Sequence, residues 1–292
     1  MAQGVAQAPP PPRPVFGVKV ETVYVDAFVT RGGQPLPGLL ASAFELKDNG
    51  VVQSLEVVAT ESLPLLAVLA FDTSSSVAGE KLAALRSAGE AFLDGLRPAD
   101  EAALLGFCEE IEWFAKPTQD KAEVRRALQS LRAEGATAVF DALYASLRLP
   151  RSEARHLVVL FSDGEDNLSW LGERQVRAAA ERSNALIHVV GLRQPQGPRS
   201  WNLTRPPESQ EPEHIRALRQ IAETTGGRFW EAESPDRLRS AFAAIAEAMN
   251  HRYVLRYQPQ RVQSQGWHRI ELSLRGHTGN VQARRGYWVA GR

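Results

Sequence analysis

Between residues 62 and 250, nearly continuous apolar runs alternate with stretches whose apolar residues recur at helical spacing, and this alternation constrains the fold most. The runs fall at 65–71, 103–108, 156–161 and 186–192. A strand with one wet face alternates apolar and polar residues, so a run that is apolar throughout must be covered on both faces. Leu82, Leu85, Ala88, Phe92 and Leu96 keep the period of a helix, as do Val124, Leu128 and Leu131. Further helices are expected at 139–147, 171–182, 215–222 and 235–249, with strands at 111–115 and 228–231. The expected architecture is α/β, a mostly parallel sheet covered by helices on both faces.

Both ends of the chain read differently. Val23, Val25, Ala27 and Val29 alternate with outward positions, and 44–47 and 55–58 read as strands around an Asp48-Asn49-Gly50 turn. After residue 250 the alternation returns in Tyr253, Leu255 and Tyr257 and again in Ile270, Leu272 and Leu274. Neither end closes a sandwich alone. We therefore expect residues 15–61 and 251–292 to pair into one small β-sandwich that carries residues 62–250 as an insertion.

Residues 1–14 include four consecutive prolines, Pro9 to Pro12, and read as a disordered tail. The segment lacks the basic start and apolar stretch of a signal peptide. Residues 193–212 hold five prolines and read as a long loop, mobile or functional. Asn167-Leu-Ser and Asn202-Leu-Thr match the glycosylation pattern, which is frequent by chance.

Composition narrows the function classes. The chain has 292 residues, with 34 basic against 34 acidic side chains. This balance argues against bulk nucleic-acid binding. The single cysteine, Cys108, excludes an internal disulfide framework and cysteine-based zinc sites; it is expected to be a small buried residue. The longest apolar stretch, 63–71, is far short of the roughly 20 residues of a membrane-spanning helix. The six histidines form no His-x-x-x-His pair, so a zinc protease is unsupported.

Three loops carry the candidate chemistry. Asp72-Thr-Ser74-Ser-Ser76 follows the first apolar run, 135–141 holds Thr137 and Asp141, and Ser162-Asp163-Gly164 follows the run at 156–161. In an open parallel sheet the crevice at the carboxyl ends of the strands is the usual binding place, which would gather Asp72 and Asp163 with several hydroxyls. These are hard oxygen donors of the kind Mg²⁺ prefers. If 72–76 is extended, alternate side chains share a side, so Ser74 and Ser76 can ligate together with Asp72 behind them. Each feature also has a plainer reading: the serines and Thr137 as helix caps, and Asp163-Gly164 as a turn. Glu165 and Asp166 read as solvated loop or helix-start acids, with tuning of the site or a second ion as the alternative, and Asp141, one turn beyond Thr137, as a cap or brace of the loop ahead of direct ligation. Trp170, close to Asp163 in sequence, either rims a binding surface or packs; Trp201 lies in the proline-rich loop.

Taken together, Asp72-x-Ser74-x-Ser76, Thr137 and Asp163-Gly164 resemble the metal-ion-dependent adhesion site of von Willebrand factor type A domains, over about residues 63–250. The resemblance implies a Rossmann-like fold and Mg²⁺ bound by Ser74, Ser76 and Thr137, with Asp72 and Asp163 acting directly or through water; Mn²⁺ and Ca²⁺ are the alternatives. Asp141, Gly164, Glu165 and Asp166 would lie behind these ligands. It further implies a non-enzymatic module whose protein partner offers an Asp or Glu to the metal. The flanks, through 44–53, Tyr257-x-Pro259, Trp267-His-Arg-Ile270 and Ala283-Arg-Arg-Gly-Tyr287, resemble the bacterial "VWFA-related" proteins, which implies an extracytoplasmic place. Two other functions are compatible with these residues: an envelope scaffold in which metal only stabilises loops, and a metal-dependent phosphohydrolase. The latter is disfavoured because Ser74 stands where an aspartyl phosphatase has its second carboxylate. Neither a Gly-x-Ser-x-Gly elbow nor a phosphate loop is present.

Overall fold

The computed structural model describes residues 22–59, 63–149, 155–163, 166–192 and 212–290. The expected tail at 1–14, the loop at 193–211 with Trp201 and Asn202, and Gly164 and Glu165 lie outside the described residues.

The first strands are β1 (Val23–Arg31), β2 (Gln34–Pro35), β3 (Phe44–Asp48), β4 (Val51–Val52) and β5 (Leu55–Val58). The β3–β4 turn has Asn49 at φ 46° and Gly50 at φ 82°. Positive φ at both central positions matches the twist of a tight hairpin, and Asn-Gly adopts it at low cost. The α/β unit follows in the order β6 (Leu65–Asp72), α1 (Glu80–Asp94), β7 (Glu101–Phe107), β8 (Ile111–Thr118), α2 (Lys121–Ser130), α3 (Val139–Ser146), β9 (Arg155–Ser162), α4 (Glu173–Arg182), β10 (Leu186–Leu192), α5 (Glu213–Thr224), β11 (Phe229–Ala232) and α6 (Pro235–Asn250). The chain then returns to strands β12 (Tyr253–Tyr257), β13 (Gly266–Leu274), β14 (Asn280–Ala283) and β15 (Gly286–Val289).

The central sheet has the order β11-β10-β9-β6-β7-β8, parallel except for β8, which pairs antiparallel with β7 at the edge. All eight residues of β6 are buried. They feed two cores in turn. Leu65, Ala67, Leu69 and Phe71 join Leu85 and Phe92 of α1, Leu128 of α2 and Phe242 of α6. Val68 and Ala70 join residues of α3, α4 and α5 on the other face. Strand alternation thus converts one apolar run into two cores, as the unbroken hydrophobicity demands.

The two ends of the chain are woven together. β1 pairs with β12, Val23 opposite Tyr257, within the order β14-β1-β12-β5. β3 pairs with β13 within the order β15-β13-β3-β4. Val25, Val29 and Leu255 from the first sheet and Phe44, Leu46 and Ile270 from the second form one apolar cluster.

Candidate metal centre

The site is built at the ends of β6 and β9. Asp72 is the last residue of β6 and is fully buried. Its Oδ1 accepts a hydrogen bond from the Ser74 backbone N–H at 2.9 Å, and its Oδ2 accepts one from the Ser162 hydroxyl at 2.7 Å. Burial holds this carboxyl above the usual carboxylate range. The bonds from Ser74 and Ser162 oppose that shift, and the charge of Asp163 adds to it.

Beyond Asp72 the backbone is extended only through Ser74; residues 75–77 form a 3₁₀ turn closed by Val77 N–H donating to Ser74 O at 3.1 Å. The extended reading of 72–76 is therefore corrected. The turn folds the chain back, and the Ser74 and Ser76 hydroxyls meet at 2.9 Å. Ser76 then donates to Asp163 Oδ1 at 2.6 Å. Lys81, in the first turn of α1, forms an ion pair with Asp163 Oδ2 and donates to Ser76 O at 2.9 Å. Four of the five expected ligand residues, Asp72, Ser74, Ser76 and Asp163, thus form one connected cluster.

Thr137 lies on the adjoining segment and is buried. Two backbone bonds tie that segment to the first loop: Ser75 N–H to Gly135 O at 3.0 Å and Glu134 N–H to Thr73 O at 2.8 Å. Thr137 N–H donates to Asn167 Oδ1 at 3.0 Å, and Thr137 O accepts from the N–H groups of Asn167 and Leu168.

The cap readings do not describe these side chains. The residue preceding α1 is Gly79, and the one preceding α3 is Ala138. The first turn of α3 is instead served from outside: Asp166 Oδ1 accepts from Val139 N–H at 3.0 Å, and Ser169 Oγ accepts from Asp141 N–H at 3.2 Å. Asp166 is therefore a half-buried cap rather than a solvated acid. Burial raises its carboxyl, bonds from Ser169 and Val139 oppose this, and Asp141 reinforces it. Asp141 is a brace, as expected. Its oxygens accept from Trp170 N–H and Leu171 N–H, each at 2.9 Å.

Fixed in this way, the loop presents Trp170 at 95% exposure, which removes the packing alternative for this side chain. Cys108 is half-buried, not buried as expected, because β7 ends at Phe107 and the residue falls in the β7–β8 turn. It lines a cleft of about 500 Å³ beside Thr73, with Glu109, Glu110, Glu112 and Glu134 around it.

The donor set fits a hard divalent cation. Hydroxyl and carboxylate oxygens converge, the two carboxylates are buried within one cluster, and a cation, Lys81, already sits against Asp163. Among the described residues no three His, Cys, Asp or Glu side chains group to hold a metal, so an ion here would need the hydroxyls as ligands. Reasoning from sequence did not single out Lys81 and gave Ser162, Asn167 and Ser169 no bracing role at the site. Lys81 carried a readable signal, because a cation in the first turn faces the positive pole of its helix.

The family model of the von Willebrand factor type A domain matches residues 67–165, a stretch that holds all five expected ligand residues. A UPF0353 protein of Mycolicibacterium paratuberculosis is 24% identical over 207 residues, 64% of this chain and 61% of that protein. The chain thus spans about three fifths of the length of that curated relative. A von Willebrand factor type A structure from Catenulispora acidiphila aligns over 89% of this chain and 76% of its own, with a TM-score of 0.54 and 15% identity. Proximal thread matrix protein 1 from the mussel byssus, solved with a zinc-occupied MIDAS motif, aligns over 69% of this chain and 49% of its own, with a TM-score of 0.52 and 16% identity. At these identities the two structures establish a shared fold alone. The family match places a von Willebrand factor type A domain over residues 67–165, and the two structures share the fold of the α/β part.

Proposed function

We propose that this chain is a non-enzymatic binding module that captures a protein partner through a divalent cation, Mg²⁺ by preference. The observation that carries the reading is the Ser74–Ser76–Asp163 chain of oxygen contacts, with buried Asp72 behind it. Ser74, Ser76 and Thr137 would hold the ion, with Asp72 and Asp163 direct or through water. A bound divalent ion supplies a Lewis-acidic position for a carboxylate oxygen of the partner. Asp72 and Ser162 hold the first loop in place, and Asp141 and Asn167 hold the rim. The acid-lined cleft concentrates cations beside the site. Exposed Trp170 offers the partner a rigid aromatic contact on the same rim, the residue type most enriched at binding hot spots.

The zinc-occupied motif of the byssus protein supports a divalent ion in this fold, and Mg²⁺ is our choice from the hard-oxygen set. The architecture belongs to the same proposal: residues 62–250 as the type A domain, inserted in a β-sandwich of 15–61 and 251–292. The shared apolar cluster of the two outer sheets supports it. An extracytoplasmic place is proposed from the resemblance of the flanks and is checked by cell fractionation. Among the described residues no helix is long and apolar enough to cross a membrane.

The test is titration of Mn²⁺ into chelator-treated protein, read by calorimetry and by water-proton relaxation. Saturable binding is expected for the wild type and is lost in Asp72→Ala and Ser76→Ala. Acetate or N-acetylaspartate should then lower the relaxivity by displacing metal-bound water. Binding that survives both substitutions would overturn the assignment. The scaffold reading predicts a metal-raised melting temperature with no effect of carboxylate. The backbone bonds from Ser75 to Gly135 and from Glu134 to Thr73 argue against it, because main-chain contacts already join these loops.

A further inference from the structure

We infer that Lys81 is a tethered counter-cation that holds Asp163 until a divalent ion displaces it, and so sets the affinity of the site. The inference rests on the metal-site reading above. The Asp163 side chain is 1% exposed and that of Lys81 is 36% exposed. A carboxylate so buried needs a compensating charge, and Lys81 supplies one while Ser76 donates to the other oxygen. Asp72, in the same cluster, is bonded by neutral donors among the described residues, Ser74 and the Ser162 hydroxyl.

The position of Lys81 calls for a reason of its own. It is the second residue of α1, where the helix end carries partial positive charge and a cation is unfavourable. The contact with Asp163 provides that reason. It also places the ammonium against a carboxylate that a metal ion would have to share or take over.

The flexible stem of a lysine lets its head swing to solvent while its methylenes stay packed. Cation binding is then an exchange of one positive charge for another at Asp163. The site is held together when empty and yields only to an ion concentrated enough to win the exchange. A purely structural Lys81 would instead act as a pin for α1 whose loss lowers stability with or without metal.

The experiment uses the full chain, freed of metal by a chelator, with Mg²⁺ and Mn²⁺ alone as probes. Calorimetric titration compares wild type, Lys81→Met and Lys81→Arg. Lys81→Met is expected to bind at least about tenfold more tightly than wild type, the worth of one charge-assisted hydrogen bond discounted for a partly exposed lysine. Lys81→Arg keeps the charge and stays near the wild-type affinity. In chelator, Lys81→Met melts below wild type, and saturating Mn²⁺ raises its melting temperature by more than it raises that of the wild type.

Equal or weaker binding by Lys81→Met, with wild type binding normally, overturns the role of Lys81 and leaves the metal site standing. A melting temperature lowered equally in chelator and in Mn²⁺ does the same. No binding by any of the three proteins overturns the metal site and this inference together. If Lys81→Met does not fold, Lys81→Gln replaces it in both measurements.

Discussion

Acid should weaken this protein through one buried histidine. His188 sits in β10 at 2% exposure. Its Nδ1 accepts from Arg228 N–H at 3.2 Å and from Trp230 Nε1–H at 3.1 Å, so the neutral ring carries its proton on Nε2. Nε2 has no hydrogen-bond partner among the described residues. Protonating Nδ1 would set a third N–H against two donors. Burial is the main cause that pushes the pKa down to about 3, and the charges of Arg252 and Arg228 add to it, against a small opposing contribution from Arg228 N–H.

The sign follows from linkage. The folded pKa lies below the unfolded value of about 6.5, so below that pH the unfolded chain binds the extra proton. The stability is fully present above pH 6.5 and falls with pH until the folded ring itself protonates. The slope approaches about 1.4 kcal/mol per pH unit, or roughly 3 kcal/mol lost between pH 7.5 and 4.5. His188→Asn keeps an acceptor and does not titrate.

Urea unfolding of both proteins at four pH values in this window measures the difference. His156, lowered by burial to about 4, acts in the same sense as His188, and Asp72 and Asp166, raised by burial, act in the opposite sense. All three contributions are common to both proteins and cancel. The stability gap between wild type and His188→Asn should shift by about 3 kcal/mol in favour of the variant as pH falls. Parallel curves would refute the argument.

Three further outcomes are expected. Asp26→Ala leaves the guanidinium groups of Arg155 and Arg252, which it holds at 2.7 Å and 3.7 Å, buried without their carboxylate. With Asp26 at 22% side-chain exposure, the cost belongs near the low end of the buried-pair range, about 3 kcal/mol by urea unfolding; under about 1 kcal/mol would show that the pair is solvent-compensated. Gly227→Ala would bring a Cβ to 1.8 Å from Ile187 O, a backbone atom that cannot step aside. Upwards of about 3 kcal/mol, or loss of soluble protein, is expected, and a wild-type melting curve would contradict it. Trp170→Ala removes a side chain that is 95% exposed, so thermal unfolding should register a change within about 0.5 kcal/mol, and a larger loss would mean that the indole packs.

The α/β order was legible because an unbroken apolar run such as 65–71 allows few alternatives: it must be covered on both faces. The candidate site residues were legible as types and spacing, because Asp72 and Asp163 fall at or just past strand ends whatever the details of the loops. What sequence could not supply was local backbone shape. An extended Asp-x-Ser-x-Ser and one turned back through 75–77 read identically, yet only the turned form makes the observed contact between the Ser74 and Ser76 hydroxyls. Nor could sequence pair Lys81 with Asp163 or Asp141 with Trp170 N–H, since those contacts depend on how loops from distant parts of the chain lie together.

The two ends of the α/β unit have different neighbours, and β9 measures their separation. Its first residue, Arg155, binds Asp26 of β1, and its last, Ser162, binds Asp72. Seven strand steps of about 3.3 Å put these bonds roughly 23 Å apart. The other contacts with the outer sheets gather at the Arg155 end. Arg284 reaches Ser183 O just past α4, Arg285 N–H donates to Thr224 O at the end of α5, and Arg182 lies over the Trp288 ring. The last residues of α4 and α5 lie beside the starts of the parallel strands they precede, so every one of these contacts falls at the amino edge of the sheet. Thr137, Asp163 and Trp170 lie at the carboxyl edge. The outer sheets therefore grip the domain from the side opposite the candidate metal centre, and α6, whose end leads into Arg252 and the Asp26 pair, runs past Phe71 through the Phe242 ring stacked edge-on at 5.5 Å. A partner of the proposed kind, approaching these loops, would meet the candidate cation site and Trp170 without first displacing either outer sheet.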